Sequence, residues 1–121
     1  MVLESVQIDR IIDGDTIRLI INNRIISTRA RWINCPSISS EWGIKSKMLL
    51  EGLIASGEFY IEQYGFDRYG RIFADWFIED RNTNIQVLLL QHGLAVDNLP
   101  KIRFNLSKRE IVLFCNLLHA Q

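Results

Sequence analysis

Apolar and polar side chains alternate along the first third of the chain, and the spacing then lengthens toward helical periods. Val6, Ile8, Ile11 and Ile12 form a run rich in β-branched residues, which predicts a strand over residues 6–12. Asp13-Gly14-Asp15 interrupts it as a turn. A second strand resumes over Ile17–Ile21, Asn22-Asn23 is a tight hairpin signal, and Arg24–Ile33 is the returning strand. Asn34-Cys35-Pro36-Ser37 breaks the pattern, because Pro36 disfavours helical backbone at Cys35. Ser39 and Ser40 can cap a helix over Glu41–Ala55, with Met48, Leu49, Leu53 and Ile54 as its apolar face and Gly57 as its stop. Glu58–Tyr64 alternates as a strand, and Gly65–Gly70 is a loop. Arg71–Ile78 is a further strand, with Ile72, Ala74, Trp76 and Ile78 on one side and Phe73 and Phe77 on the other. Asn84 can cap a short helix through Leu88, Leu89 and Leu90, ended by Gly93. Leu99 to Asn105 is a connecting loop, and Ser107-Lys108-Arg109-Glu110 is a capping box. It opens a final helix with Ile111, Leu113, Phe114, Leu117 and Leu118. The order βββ-α-ββ-α-α predicts an α+β fold whose five short strands suit a closed or nearly closed Greek-key barrel, as one domain over residues 1–121.

Composition is consistent with that reading. The chain has 121 residues, 48% of them hydrophobic, enough for a core without disulfides or metals. No apolar run approaches the roughly 18 residues of a membrane span, so no membrane is expected as a partner. Met1–Ser5 carries no basic or apolar leader pattern, and Cys35 and Cys115 lack metal-type spacing. Two free thiols in a reducing compartment, with a cytoplasmic location, are the expectation. The 14 Lys and Arg balance 14 Asp and Glu, which removes any argument from a global basic excess. The distribution is uneven, however. Residues 41–80 hold four bases against eight acids, and residues 81–121 hold five against two.

Three islands carry candidate chemistry. Asp13-Gly14-Asp15-Thr16 sets two carboxylates on a tight turn, a donor type that suits Ca²⁺ or Mg²⁺, although Asp-Gly turns are common without any ion. Arg29 and Arg31 share one strand face opposite Ala30 and Trp32, where they can clamp a phosphate or simply face water. Asp67-Arg68-Tyr69-Gly70-Arg71 adds two guanidinium groups and a stacking ring at a bend, and is otherwise a charged hairpin loop.

Taken together, these islands resemble the staphylococcal nuclease (thermonuclease) family. The resemblance rests on Ile12-Asp13-Gly14-Asp15-Thr16, Arg29 before Ile33-Asn34-Cys35-Pro36-Ser37, Asp67-Arg68-Tyr69-Gly70-Arg71, and His92-Gly93-Leu94-Ala95, in order over roughly residues 6–96. It implies an OB-type five-stranded barrel with three helices, DNA or RNA as partner, Ca²⁺ as cofactor and phosphodiester hydrolysis as activity. It further implies Asp15 as a metal ligand, Asp13 as a supporting acid, Arg29 and Arg71 as the phosphate-binding catalytic arginines, and Arg68 and Tyr69 as substrate contacts.

Two positions depart from the family pattern. Asn34 stands where a second acidic metal ligand is usual, and Ser37 stands where the glutamate that serves as or supports the general base is usual. Asn34 keeps a carbonyl oxygen but not the charge, so Ca²⁺ affinity is expected to fall. Ser37 can hold a water but cannot act as a base near neutral pH. Glu41 is the nearby acid, and as a first-turn residue it fits a surface role. The expected function is therefore a nucleic-acid-binding domain with weakened metal-dependent cleavage. The alternative is a catalytically inactive OB-fold module that binds nucleic acid or protein. Trp32, Trp42 and Trp76 are expected in the core or at its edge, and His92 at a helix end. Lys101, Arg103, Lys108 and Arg109 form a basic cluster that can follow a nucleic-acid backbone or simply be solvated.

Overall fold

The computed structural model describes residues 2–55, 57–99 and 107–120. The connecting loop predicted beyond Leu99, with Lys101 and Arg103 of the basic cluster, lies outside the described residues. Strand β1 (Glu4–Asp13) turns at Asp13-Gly14-Asp15 into β2 (Thr16–Ile21), and β2 turns at Asn22-Asn23 into β3 (Arg24–Ala30). Both asparagines take the left-handed backbone, φ 51° and 64°, which matches the right-handed twist of a two-residue hairpin. A two-residue strand β4 (Ile33–Asn34) precedes helix α1 (Glu41–Ile54), and β5 (Phe59–Phe66) and β6 (Ile72–Phe77) follow. Helix α2 (Ile85–Gln91), a short β7 (Val96–Asp97) paired with β4, and helix α3 (Lys108–Ala120) complete the order.

The barrel closes in the order β1-β2-β3-β6-β5. Its β1–β5 seam is antiparallel, and its β3–β6 seam is parallel. Five mixed strands and three helices make this the predicted OB-fold barrel. Ile17 and Leu19 of β2, Ala30 of β3, Ile61 of β5, and Ala74 and Trp76 of β6 fill the interior with no measurable exposure. The polar atoms among them are satisfied. Trp76 Nε1 donates to Thr28 Oγ1 at 3.2 Å, and that hydroxyl donates to the Ile72 carbonyl at 2.9 Å.

The structure departs from the sequence pattern at three places. The third barrel strand stops at Ala30, not Ile33, because Trp32 adopts φ 69°, a left-handed backbone that a continuing strand cannot hold. Trp42 is 56% exposed, with Lys45 Nζ 4.5 Å from its ring centre, so it is a surface residue and not a core one. Met48 is likewise exposed, and the buried line of α1 runs through Gly43, Ser46 and Leu50. That seam uses small residues because other backbone packs directly against it. A Cβ on Gly43 would lie 1.8 Å from the Ser37 carbonyl oxygen. The predicted caps are present: Ser40 Oγ accepts from Gly43 N, and Asn84 Oδ1 accepts from Val87 N. At α3 the Ser107 hydroxyl accepts from Glu110 N, while Glu110 Oε1 accepts from Ser107 N.

Two helix glycines therefore have opposite expected fates. Gly43→Ala must push the Ser37 turn away and is expected to cost about 1–3 kcal/mol. Gly52→Ala meets no atom within 4 Å and is expected to gain about 0.8–1.0 kcal/mol. Urea unfolding of both variants checks the pair.

Candidate functional site

The Asp13–Asp15 turn packs tightly against the start of α1. A Cβ on Gly14 would meet Ser46 Cβ at 2.7 Å and Cys35 Sγ at 2.8 Å, so only glycine fits there. Asp13 Oδ1 accepts from Asp15 N at 3.0 Å and stiffens the turn. Asp15 is nearly buried and accepts from the Cys35 backbone N at 2.7 Å. This bond ties the first island to the segment bearing Asn34. Burial, then the Asp15 and Asp13 carboxylates, push the Cys35 thiol up to about 12. It is an inert packing group at neutral pH.

Arg29, on β3, bridges the two islands. Its Nη2 lies 3.4 Å from Asp15 Oδ2 and donates to Asn34 Oδ1 at 2.6 Å and the Ile33 carbonyl at 3.0 Å. Its Nη1 donates to the Ala30 carbonyl at 2.8 Å. A guanidinium has about five N–H donors, so these three bonds orient it and leave Nε–H and one Nη1–H for a ligand. The third island forms a self-contained loop in which Asp67 Oδ1 accepts from Tyr69 N and Arg71 N. Asp67 Oδ2 accepts from Arg71 Nε at 2.7 Å. Burial opposes ionisation of Asp67, but these donors outweigh it and hold its carboxyl below the usual range. Both Nη groups of Arg71 remain without a protein acceptor among the described residues. The guanidinium carbons of Arg68 and Arg71 lie 5.0 and 5.3 Å from the Tyr69 ring centre, and Tyr69 is 68% exposed.

These groups converge. Arg29, Asn34, Arg68, Tyr69 and Arg71 line one cleft of about 300 Å³, with Trp32 and Phe73 as its apolar walls. Among the described residues, three arginines against Asp67 make its lining locally cationic in a chain of zero net charge. Asp15 sits one step behind, against Arg29, and Asp13 behind that. Ser37 is not brought into the cleft lining. Its hydroxyl shares a hydrogen bond with Ser39 Oγ at 2.8 Å at the exposed head of α1. Glu41 pairs with Lys45 at 3.4 Å on the outer face of that helix. Trp32, Phe73 and Asn98 belong to the cleft lining although the sequence did not single them out for it. The signal is a left-handed tryptophan, which no sequence pattern marks.

Among the described residues, no three His, Cys, Asp or Glu side chains gather into a metal-binding group. The donors for a hard cation are two carboxylates and an amide oxygen. Burial, followed by a hydrogen bond and repulsion from Asp15, raises the Asp13 pKa to about 6. Two acids in contact, with Arg29 3.4 Å from Asp15, form a setting that a divalent ion would relieve. The residues fit a largely hydrated cation and fall short of an all-protein cage.

Arg31 is not the surface or phosphate-facing arginine that the strand pattern allowed. It is 3% exposed and turns away from Arg29, since the chain leaves strand geometry beyond Ala30. Its Nε and Nη2 form a fork on Asp75 at 2.7 and 2.9 Å, and its Nη1 donates to Glu110 at 2.6 Å. The Tyr64 and Trp32 rings lie 3.3 and 4.2 Å from its central carbon. Burial disfavours the Arg31 charge, but Asp75 and then Glu110 outweigh it and raise its pKa. Gln86 Nε2 completes the network with bonds to Asp75 and the Arg31 carbonyl.

The family model for staphylococcal nuclease homologues matches residues 27–111, which hold Arg29, Asn34 and the whole 67–71 loop. The chain belongs to that family. A micrococcal nuclease of Shigella flexneri is 28% identical over 96 residues, covering 74% of this chain and 55% of that relative. Endonuclease YncB of Bacillus subtilis is 31% identical over 102 residues, covering 77% and 47%. An uncharacterized endonuclease of Haemophilus influenzae is 31% identical over 87 residues, covering 71% and 48%. The chain thus spans about half the length of the curated relatives it matches. In this staphylococcal nuclease homologue, Asp13 and Asp15 lie before the matched segment, so the geometry above links them to the rest of the site.

The Arg31 network makes a pH signature. Burial opposes ionisation of Glu110, but bonds from Arg31 and Ser107 lower its pKa below the ordinary value. A lowered pKa contributes stability above the unfolded value, about 4.3, and that contribution is lost as pH falls through the folded value. The urea midpoint is expected to drop as pH falls below about 4.3, and Glu110→Gln should flatten that dependence.

Proposed function

We propose that the cleft binds the phosphodiester backbone of DNA or RNA and supports slow, metal-assisted hydrolysis. The observation that carries this reading is the convergence of Arg29, Arg71 and Tyr69 in one cationic cleft, with Asp15 directly behind Arg29. Two guanidinium groups with unspent donors match the non-bridging oxygens of a phosphate, and they stabilise negative charge as it grows in the transition state. Arg29 is oriented before substrate arrives, because backbone carbonyls and Asn34 hold it. Tyr69 offers an exposed ring beside the phosphate position for a sugar or base. Asp13, Asp15 and Asn34 are the groups that would hold a Ca²⁺, which when bound supplies Lewis-acid polarisation of a phosphoryl oxygen.

General-base help is what the cleft lacks. Among the described residues lining it, Asp67 is the one carboxylate, and that group is committed to Arg71. Ser37, where the family pattern has glutamate, is bonded within its own turn. This favours a second reading in which the same cleft only binds nucleic acid.

Digestion of single-stranded DNA and RNA with Ca²⁺, Mg²⁺ or chelator separates the two. Metal-dependent cleavage that disappears in Arg71→Ala supports hydrolysis. Absence of cleavage together with salt-sensitive binding that Arg29→Ala weakens supports the binding module, and loss of both defeats the cleft. Ser37→Glu, made at an exposed position, is expected to raise the cleavage rate, with a ceiling of about 10²–10⁴-fold set by general-base catalysis. The binding-only protein instead stays inactive after that change.

A further inference from the structure

Among the described residues, Asn22, Asn23, Trp32 and Arg81 are the non-glycines with a left-handed backbone. The asparagines form a hairpin turn that favours this conformation, and Arg81 sits in an exposed bend. Trp32 differs from them: it is bulky, 6% exposed, and has φ 69°. A large side chain at positive φ is strained, and such strain persists only where the surroundings over-determine it. At Trp32 they do. Its ring packs edge-on to Phe114 of α3, and the Arg31 guanidinium lies 4.2 Å from its centre. The peptides around it are pinned as well. Gln86 Nε2 donates to the Arg31 carbonyl at 3.2 Å, and Asn98 N donates to the Trp32 carbonyl at 2.7 Å. Just beyond, Ile33 and Asn34 pair with Asp97 and Val96 of β7.

The turn has a direct geometric effect on the cleft. Arg29 Nη1 donates to the Ala30 carbonyl at 2.8 Å, and Nη2 donates to the Ile33 carbonyl at 3.0 Å. These two acceptors are three residues apart and bracket Trp32. In a continuing strand they would point to opposite edges and lie about 10 Å apart at the usual rise. One guanidinium could not reach both. The left-handed residue between them folds the chain back, so that both carbonyls face Arg29.

We propose that Trp32 is a positioning residue for Arg29. Its ring, held between Phe114 and Arg31, keeps the backbone in the strained turn, and the turn aims two carbonyls at the cleft guanidinium. Arg29 is thereby locked in one orientation, with Nε–H and one Nη1–H left for a phosphate oxygen. The strain at Trp32 is the counterpart of this fixed geometry. The Trp32 ring itself need not touch the nucleic acid. What Arg29 then binds rests on the reading of the cleft as a phosphodiester site, whereas the hold of the turn on Arg29 does not.

Two substitutions separate the backbone from the ring. Trp32→Gly and Trp32→Val both remove the indole, but glycine accepts φ 69° freely while a β-branched residue resists it. In chelator, Trp32→Gly is expected to bind a single-stranded oligonucleotide about tenfold more tightly than Trp32→Val, the scale of one hydrogen bond to a charged group. A packing role alone predicts equal affinities. The free protein supplies a second readout. With both Nη groups bonded to carbonyls, Arg29 should give separate Nη signals in low-temperature NMR, assigned through Arg29→Lys. They should persist in Trp32→Gly and merge in Trp32→Val. Asn98, at an exposed position, provides a milder pair. Asn98→Pro and Asn98→Ala lose the same side chain, but only proline loses the N–H that holds the Trp32 carbonyl. The proline variant should bind more weakly than the alanine variant and merge the Arg29 signals. If the Trp32 variants do not fold, this pair decides alone. Equal affinities within each pair, with unchanged Arg29 signals, overturn the positioning role. Failure of the unsubstituted protein to bind any strand, with Arg29 signals that still follow the turn, overturns the cleft reading and leaves the positioning role standing.

Discussion

A guanidinium taken out of water must find its full complement of partners, and at Arg31 this requirement organises much of the molecule. Asp75 meets it from β6, Glu110 from α3, and Gln86 braces the pair from α2. Helix α3, whose own start is secured by the reciprocal Ser107–Glu110 cap, is thereby drawn onto the end of β3. Phe114 adds an edge-to-face contact with Trp32, with ring centres 6.1 Å apart. The 31–34 segment is held from one side by this network and from the other by the Asp15–Cys35 bond. The cleft arginine is oriented by carbonyls of that held segment, so the geometry of Arg29 depends on a buried charge that faces away from it.

Arg29 and Arg31 show how two identical side chains two positions apart acquire opposite roles. In a continuing strand they would share a face. The strand ends between them, and the left-handed turn at Trp32 lets one guanidinium serve a cleft while the other enters a sealed network. The same separation resolves the neutral net charge. Asp75 pairs with Arg31 and Glu62 with Arg109 of α3, whereas among the described residues the cleft keeps three arginines against one acid. Attraction for a polyanion is a local property here, not one of the whole surface.

Much of the fold was legible because it follows from local chemistry. The Asn22-Asn23 hairpin, the Ser40, Asn84 and Ser107 caps and the alternation in β6 each have a residue-level cause. The convergence of Arg29 with Arg71 was reachable only through the family resemblance, since the positions lie far apart in sequence and meet through the parallel β3–β6 seam. What stayed hidden depends on tertiary packing. Gly43 and Ser46 form the α1 seam because a turn and a loop press against them, where periodicity looks for large apolar residues. Arg31 reads as a surface residue until Asp75 and Glu110 are known to surround it.

The parallel seam has a further consequence for how the chain acquires its form. β1, β2 and β3 can pair as they emerge from synthesis, since each turn between them is short. Their free edges, however, await β5 and β6: residues 4–6 pair with 59–61, and residues 28–30 with 72–74. Until β6 exists, the nascent meander exposes two unpaired edges and an open apolar face. Arg31 meanwhile has no Asp75 to meet. Closure is thus a late, long-range event. The link that seals the ring also delivers the second arginine to the first, so the cleft and the barrel are completed in one step.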